Sequence, residues 1–250
     1  MFRMSEDATI QDEPQDEPQD ELHDGTVATA IAPAPASTLP ARTAPVLIFR
    51  VEQWISTITV EGVTPLVVKR FDEKSKSAMR TKQTGGAIRP RDPKVAKEEF
   101  ERARHRLSDG SDGFPALAFK KAAVAGARSL PGITMTAARG LFFVLPDDRK
   151  TGLVRLMLQG EPVMREDAVR NADGTADLRY RPEYWPWAAR LRILYSARTV
   201  TVEQIVSLLN AGGFHCGVGE LRPEKSGAFN GQFRVAEERI VNERAQGAIF

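Results

Sequence analysis

"GFHCGVGELRPEKSGAFNGQFRV" spans Gly213–Val235, and the fold turns on how it is read. Gly213, Gly217, Gly219, Gly227 and Gly231 punctuate a polar, charged segment, so its backbone can approach something closely. That something is a phosphate chain, a neighbouring subunit, or the loop's own turns. The residues before it, "TVEQIVSLLNAGG", have the pattern of an amphipathic helix. A Thr201–Gln204 capping box starts it, Val202, Ile205, Val206 and Leu209 line one face, and Gly212–Gly213 stop it. The residues after it, "GQFRVAE", alternate Phe233 and Val235 against Gln232 and Arg234, the period of a strand.

Upstream, "AARLRILYSAR" alternates in the same way. Leu191, Ile193, Tyr195 and Ala197 point to one side; Arg190, Arg192, Ser196 and Arg198 point to the other, with Leu194 interrupting the polar row. One face packs and the other is open and cationic. "GFPALAFKKAAVAGARSLPG" predicts a helix with Pro115 in its first turn and Pro131–Gly132 beyond its end. Phe119, Ala122, Ala123 and Gly126 give it a mainly small-residue face suited to lying close on a sheet, and Lys121, Ala125 and Arg128 form a second stripe. "ARGLFFVLPDD" is a short apolar strand stopped by Pro146, and "WISTITV", turning at Gly62 into "PLVVKRF", supplies the first extended segments. The order strand, helix, strand, strand, helix, strand predicts an α+β chain with a ferredoxin-like, RRM-like split βαβ. Two helices then cover one sheet face and the other stays free. In nucleic-acid-binding members of this architecture the free face often holds a single strand, although a fold alone assigns no function.

A capped helix, then "GVGELRPEKSGAFNGQF", then a strand closing a split βαβ resembles the C-terminal end of the RAMP superfamily, the RNA-binding subunits of CRISPR effector complexes. "GFPALAFKKAAVAGAR" is similar to the small-residue helix in the backbone subunits of those complexes, which assemble as filaments along RNA. The resemblance covers residues 46–236, with its specific part in the last fifty of them. It implies that Gly217, Gly219, Gly227 and Gly231 are the loop glycines, with Arg222 and Lys225 supplying charge to a phosphate chain or a neighbouring protomer. It also implies that the basic insertion at 71–112 is the variable thumb of a backbone subunit. The chain has the general look of phage and prophage proteins as well, which fits a stand-alone relative.

Composition bounds the rest. The net charge of +2 hides nine Asp/Glu against Arg3 within residues 1–24, so the remainder carries +10. "QDEPQDEPQDE" and the Ala/Pro run after it lack apolar periodicity, and residues 1–44 are expected to be a disordered acidic tail. The tail is either solubilising or a polyanion mimic that folds back on a basic groove. The folded domain is expected at 45–236, with insertions at 71–112 and, as a hairpin, at 151–187, and a tail at 237–250. From Lys69 to Arg106 thirteen Lys/Arg face six Asp/Glu, so the first insertion is expected to be a long basic loop with a helix at "PKVAKEEFERARHRL". Lys82, Arg89 and Arg91 in that loop join Lys121, Arg128, Arg190, Arg192, Arg198 and Arg234 as candidate nucleic-acid contacts.

Catalytic chemistry is sparse in the sequence. Cys216 is the only cysteine, which excludes an intrachain disulfide and a thiol-rich metal site. His23, His105 and His215 lack metal-ligand spacing, and there is no phosphate-binding loop, nucleophile elbow or dinucleotide fingerprint. No metal and no cofactor is expected. His215 beside the glycine loop is either an acid–base group, as in RAMP endonucleases, or a packing residue. Asp72, Asp92, Asp109 and Asp112 are thumb aspartates by region only. Tyr180, Tyr184, Trp185 and Trp187 in "RYRPEYWPW" either stack bases or serve an interface or core. "ARGLFFVL" partly echoes an RNA-recognition strand but is read as a core strand. The longest apolar runs are core-sized, and the reading is a cytoplasmic protein of a bacterial host cell without membrane contact. Its expected role is a non-catalytic binder of RNA or single-stranded DNA, working as a homo-oligomer or a subunit of a ribonucleoprotein complex. The alternatives are a RAMP-type endoribonuclease and a phage structural or assembly protein.

If the acidic tail competes for the basic groove, deleting residues 1–44 leaves the fold intact and tightens single-strand binding, most of all at low salt. Equal affinities of both forms at about 50 mM salt would leave the tail a solubilising role only.

Overall fold

The computed structural model describes residues 51–71, 73–85, 93–170 and 174–245. The acidic tail, Asp72, Arg89, Arg91 and Asp92 lie outside the described residues. The chain begins with β1 (Trp54–Gly62) and β2 (Leu66–Val67), followed by α1 (Glu73–Gln83), α2 (Ala96–Ala103) and β3 (Gly113–Pro115). Next come α3 (Ala116–Gly126), a 3-10 turn (Ala127–Ser129), α4 (Met135–Leu141), β4 (Phe142–Leu145) and β5 (Leu153–Leu158). Then follow β6 (Val163–Arg170), β7 (Ala176–Tyr184), β8 (Trp187–Tyr195), α5 (Val202–His215), α6 (Pro223–Ser226), β9 (Phe233–Val235) and β10 (Val241–Arg244).

The protein is α+β with antiparallel sheets. β1 and β8 form the centre of the larger sheet, in register from Trp54 opposite Tyr195 to Glu61 opposite Ala188. The free side of β8 is shared by β4, which pairs along Tyr195–Arg192, and β5, which pairs along Ala189–Trp187. The free side of β1 is shared likewise by β10 at one end and β9 at the other. Residues 241–244, expected in a tail, are therefore part of the sheet. A second sheet runs β2–β7–β6. The segment 151–187 is thus more than a hairpin: β6 and β7 form one, while β5 belongs to the larger sheet.

Alternation explains the layering. Trp187, Ala189, Leu191, Ile193 and Tyr195 of β8 and Ile58 and Val60 of β1 are buried beneath Phe119 of α3 and Ile205, Leu208 and Leu209 of α5. Each fully buried side chain of this size is worth about 1.5–3 kcal/mol relative to exposure. The Thr201–Gln204 capping box forms, with the Gln204 amide donating to Thr201 Oγ1 at 3.3 Å and the Thr201 amide to Gln204 Oε1 at 3.0 Å. α5 does not stop at Gly212–Gly213, however; it continues to His215. Those glycines serve packing. A Cβ on Gly212 would lie 2.5 Å from the carbonyl carbon of Ala122, one on Gly126 2.8 Å from Gly212 Cα, and one on Gly213 2.8 Å from the carbonyl carbon of Phe233. Backbone meets backbone where α3, α5 and β9 touch. Arg139–Gly140 belong to α4, and the strand after them is only Phe142–Leu145. Lys120, buried beside α4, donates to the Ala138 carbonyl at 2.8 Å and sits 3.5 Å from the Phe142 ring centroid, and burial pulls its pKa down to about 8.

The basic insertion is not merely a loop. It contains α1 and α2, and Arg104 after α2 is buried. Its guanidinium donates to both carboxylate oxygens of Asp112, at 3.0 and 2.5 Å, and Tyr184 of β7 donates to Asp112 Oδ1 at 3.0 Å. Burial, and then the Asp112 charge, pushes the Tyr184 phenol well above its ordinary range. Breaking such a pair leaves a charge without its counterpart in the interior.

Gly212→Ala and Gly213→Ala force backbone apart and should each cost about 3 kcal/mol or more. Gly227→Ala has open space around it and should cost only the left-handed φ, about 1–2 kcal/mol. Urea denaturation monitored by circular dichroism measures both; equal losses at all three positions would remove the packing role.

Candidate nucleic-acid interface

The face of the larger sheet opposite α3 and α5 follows from the strand register. Thr57 lies opposite Arg192 and Thr59 opposite Arg190, so two threonines of β1 flank two exposed arginines of β8. No ion pair ties either arginine among the described residues. Phe143 of β4, paired in register with Leu194, is 54% exposed, so it is no core residue; its ring centroid lies 5.8 Å from Lys120 Nζ of α3. Arg234 of β9 is exposed too, but its Nε donates to Glu61 at 2.6 Å. Leu194, which breaks the polar row, is buried with Ile55 and Leu145 in a small apolar cluster at one end. Arg198 leaves the row altogether. β8 ends at Tyr195, and a turn closed by the Thr199 amide on the Ser196 carbonyl carries Arg198 away from the strand.

The glycine loop packs mainly on its own chain. Gly217, Gly219, Gly227 and Gly231 all have left-handed φ, between +64° and +84°. A Cβ on Gly219 would lie 2.5 Å from the Val67 carbonyl oxygen, and one on Gly231 2.9 Å from the carbonyl carbon of Val218. The close approach is therefore between loop, α5 end and β2. Arg222 donates to the Gly219 carbonyl at 3.0 Å and lies 3.8 Å from Glu224, while Lys225 pairs with Glu220 at 3.2 Å. Arg128 pairs with Glu224 at 3.3 Å. These three cations are tied to local partners. Lys82, at the end of α1, and Lys121, on α3, are exposed.

Beside the loop lies a cavity of about 190 Å³. Lys69, Lys121 and Arg222 line it with Phe114, Val218 and, unexpectedly, His105. His215, the histidine nearer the loop in sequence, is instead exposed at the end of α5 against the Phe214 ring. Burial, then the Arg70 charge, lowers the His105 pKa from 6.5 to about 4, so the ring is neutral near pH 7. Lys69 is pulled below its ordinary value, first by desolvation and then by repulsion from Arg179 and Arg181. Of the thumb aspartates, Asp112 is committed to Arg104, and Asp109 is held by Ser111 and Arg155. Tyr184 and Trp187 are core residues, and Trp185 is exposed. No cluster of three metal-ligating side chains occurs among the described residues, and no described helix is long and apolar enough to cross a membrane.

No family model matches the chain, and no curated protein matches it. Among solved structures it is similar to Cmr6 from Pyrococcus furiosus, at 11% identity and a TM-score of 0.40, over 75% of this chain and 100% of that one. It is also similar to a chain in the type III-B Cmr-beta complex bound to cognate target RNA, at 12% identity and a TM-score of 0.41. That match covers 77% of this chain and 61% of that one.

His105 gives a pH test of the cavity. Between pH 6.5 and about 4 the unfolded chain takes up a proton that the folded chain refuses. Stability therefore falls as pH drops through that window, by up to about 3 kcal/mol. His105→Gln abolishes this titration, so its urea midpoint should fall less than that of the wild type between about pH 7 and pH 4.5. Parallel curves would mean that His105 titrates normally.

Proposed function

We propose that this chain is a non-catalytic, RAMP-like nucleic-acid-binding protein that holds RNA or single-stranded DNA, working in a homo-oligomer or as a subunit of a ribonucleoprotein complex. In this reading β9, β1, β8 and β4 are the four strands of a ferredoxin-like split βαβ. Two supports are their antiparallel pairing in that order and the packing of α3 and α5 on one face. The observation that carries the function is the exposed pair Arg190 and Arg192. They stand on the opposite face between threonines, with no anionic partner among the described residues. Their Cα atoms are about 6.5–7 Å apart along the strand, near the phosphate spacing of an extended single strand.

Arg190→Gln with Arg192→Gln should leave the fold unchanged, because packing is on the other face. If both contact phosphates, the slope of log affinity against log salt should fall by about 1.4, roughly 0.7 for each contact. The same change at Arg139 and Arg170, exposed cations of α4 and β6, should alter the slope less. Similar losses from both pairs would reduce the binding to attraction by net charge.

A further inference from the structure

We propose that the cavity beside the glycine loop binds a single nucleotide unit, an aromatic base carrying a phosphate. The site lies between α3 and the glycine loop and is separate from the sheet-face reading, on which it does not depend. Its volume of about 190 Å³ is below the roughly 300–1,000 Å³ of sites for drug-sized ligands, which favours one planar ring system. Phe114, Ala118, Ala122 and Val218 give it an apolar floor. His105 lines the cavity with a neutral imidazole, which can set one ring nitrogen, a donor or an acceptor according to tautomer, against the edge of a base.

The charges on its rim favour an anion. Glu220 and Glu224 line the cavity too, but Lys225 and Arg128 already pair with them. Lys121 forms no ion pair among the described residues. Lys69, crowded by Arg179 and Arg181, is a cation that a phosphate would relieve. An apolar floor, an imidazole in the wall and a cationic rim together describe a base with its phosphate rather than a bare anion or an apolar molecule. The nucleotide comes from one of two sources, a free mononucleotide or one residue of a bound strand.

Titration calorimetry with AMP tests the site on the full chain, with adenosine and inorganic phosphate as partial probes. AMP should bind more tightly than either. Ala118→Phe, which fills the cavity, should weaken AMP at least tenfold. Lys121→Gln, an exposed change that keeps the fold, should weaken AMP several-fold and adenosine hardly at all. Arg190→Gln with Arg192→Gln should leave AMP binding unchanged even where strand binding is lost, so the two readings fail separately. If the source is a strand, a short oligonucleotide displaces AMP and its own binding weakens in Ala118→Phe; if the source is free nucleotide, it does neither. No AMP binding at about 1 mM, or equal binding by the wild type, Ala118→Phe and Lys121→Gln, overturns the proposal.

Discussion

The contact between α3 and α5 is the constraint from which the rest of the architecture follows. Gly126 and Gly212 let the two helix backbones come closer than any side chain would allow, and Gly213 does the same toward β9. A pair so close occupies a narrow layer, which one sheet face of two central strands can support. Phe119 then reaches Trp187 and Phe233, with ring centroids 6.5 and 5.6 Å away, and joins both helices to the sheet through aromatic packing. Because all of the helical mass of α3 and α5 lies on one side, Arg190 and Arg192 are left facing outward.

A second anchor holds the basic segment. Arg104 and Asp112 form a buried bidentate pair, and Tyr184 completes it from the other sheet. Arg104 also reaches Glu161 at 3.1 Å and Glu101 at 3.3 Å, so one guanidinium gathers the end of α2 and the loop before β6. The chain on both sides of α2 is thereby tied to the hairpin of β6 and β7, which also receives an ion pair from Lys94 to Asp177. His105 and Phe114, which flank the Asp112 end of this anchor, contribute to the wall of the cavity.

Local pattern made much of this legible. The alternation of β8, the capping box of α5 and the small-residue face of α3 each depend on neighbours two to four positions away, which a sequence displays directly. What lay beyond reach depends on distant partners. Leu194 looked like a flaw in a polar row because Ile55 and Leu145 are brought to it only by strand pairing. Gly212–Gly213 looked like a helix stop because their use is to admit Ala122 and Phe233, remote in sequence. Asp112 is joined to Tyr184 across 72 positions, so the sequence places it only by region, whereas folding buries it in an ion pair with Arg104. The cavity is harder still: Lys69, His105, Lys121 and Arg222 come from four separate segments.

The divided margins of the larger sheet have a consequence for how copies of the protein can meet. β9 and β10 split one side of β1, and β4 and β5 split one side of β8, each pairing over four residues or fewer. Margins this broken offer an incoming strand no long row of amides to zip against, a common defence against runaway sheet extension. In the second sheet β6 presents an eight-residue edge, but Arg165, Glu166, Asp167 and Arg170 crowd that strand with charge. Growth by continuous β-pairing is therefore disfavoured, and any contact between two copies would have to form through faces and loops, where spacing is set by side chains rather than by the repeat of the backbone.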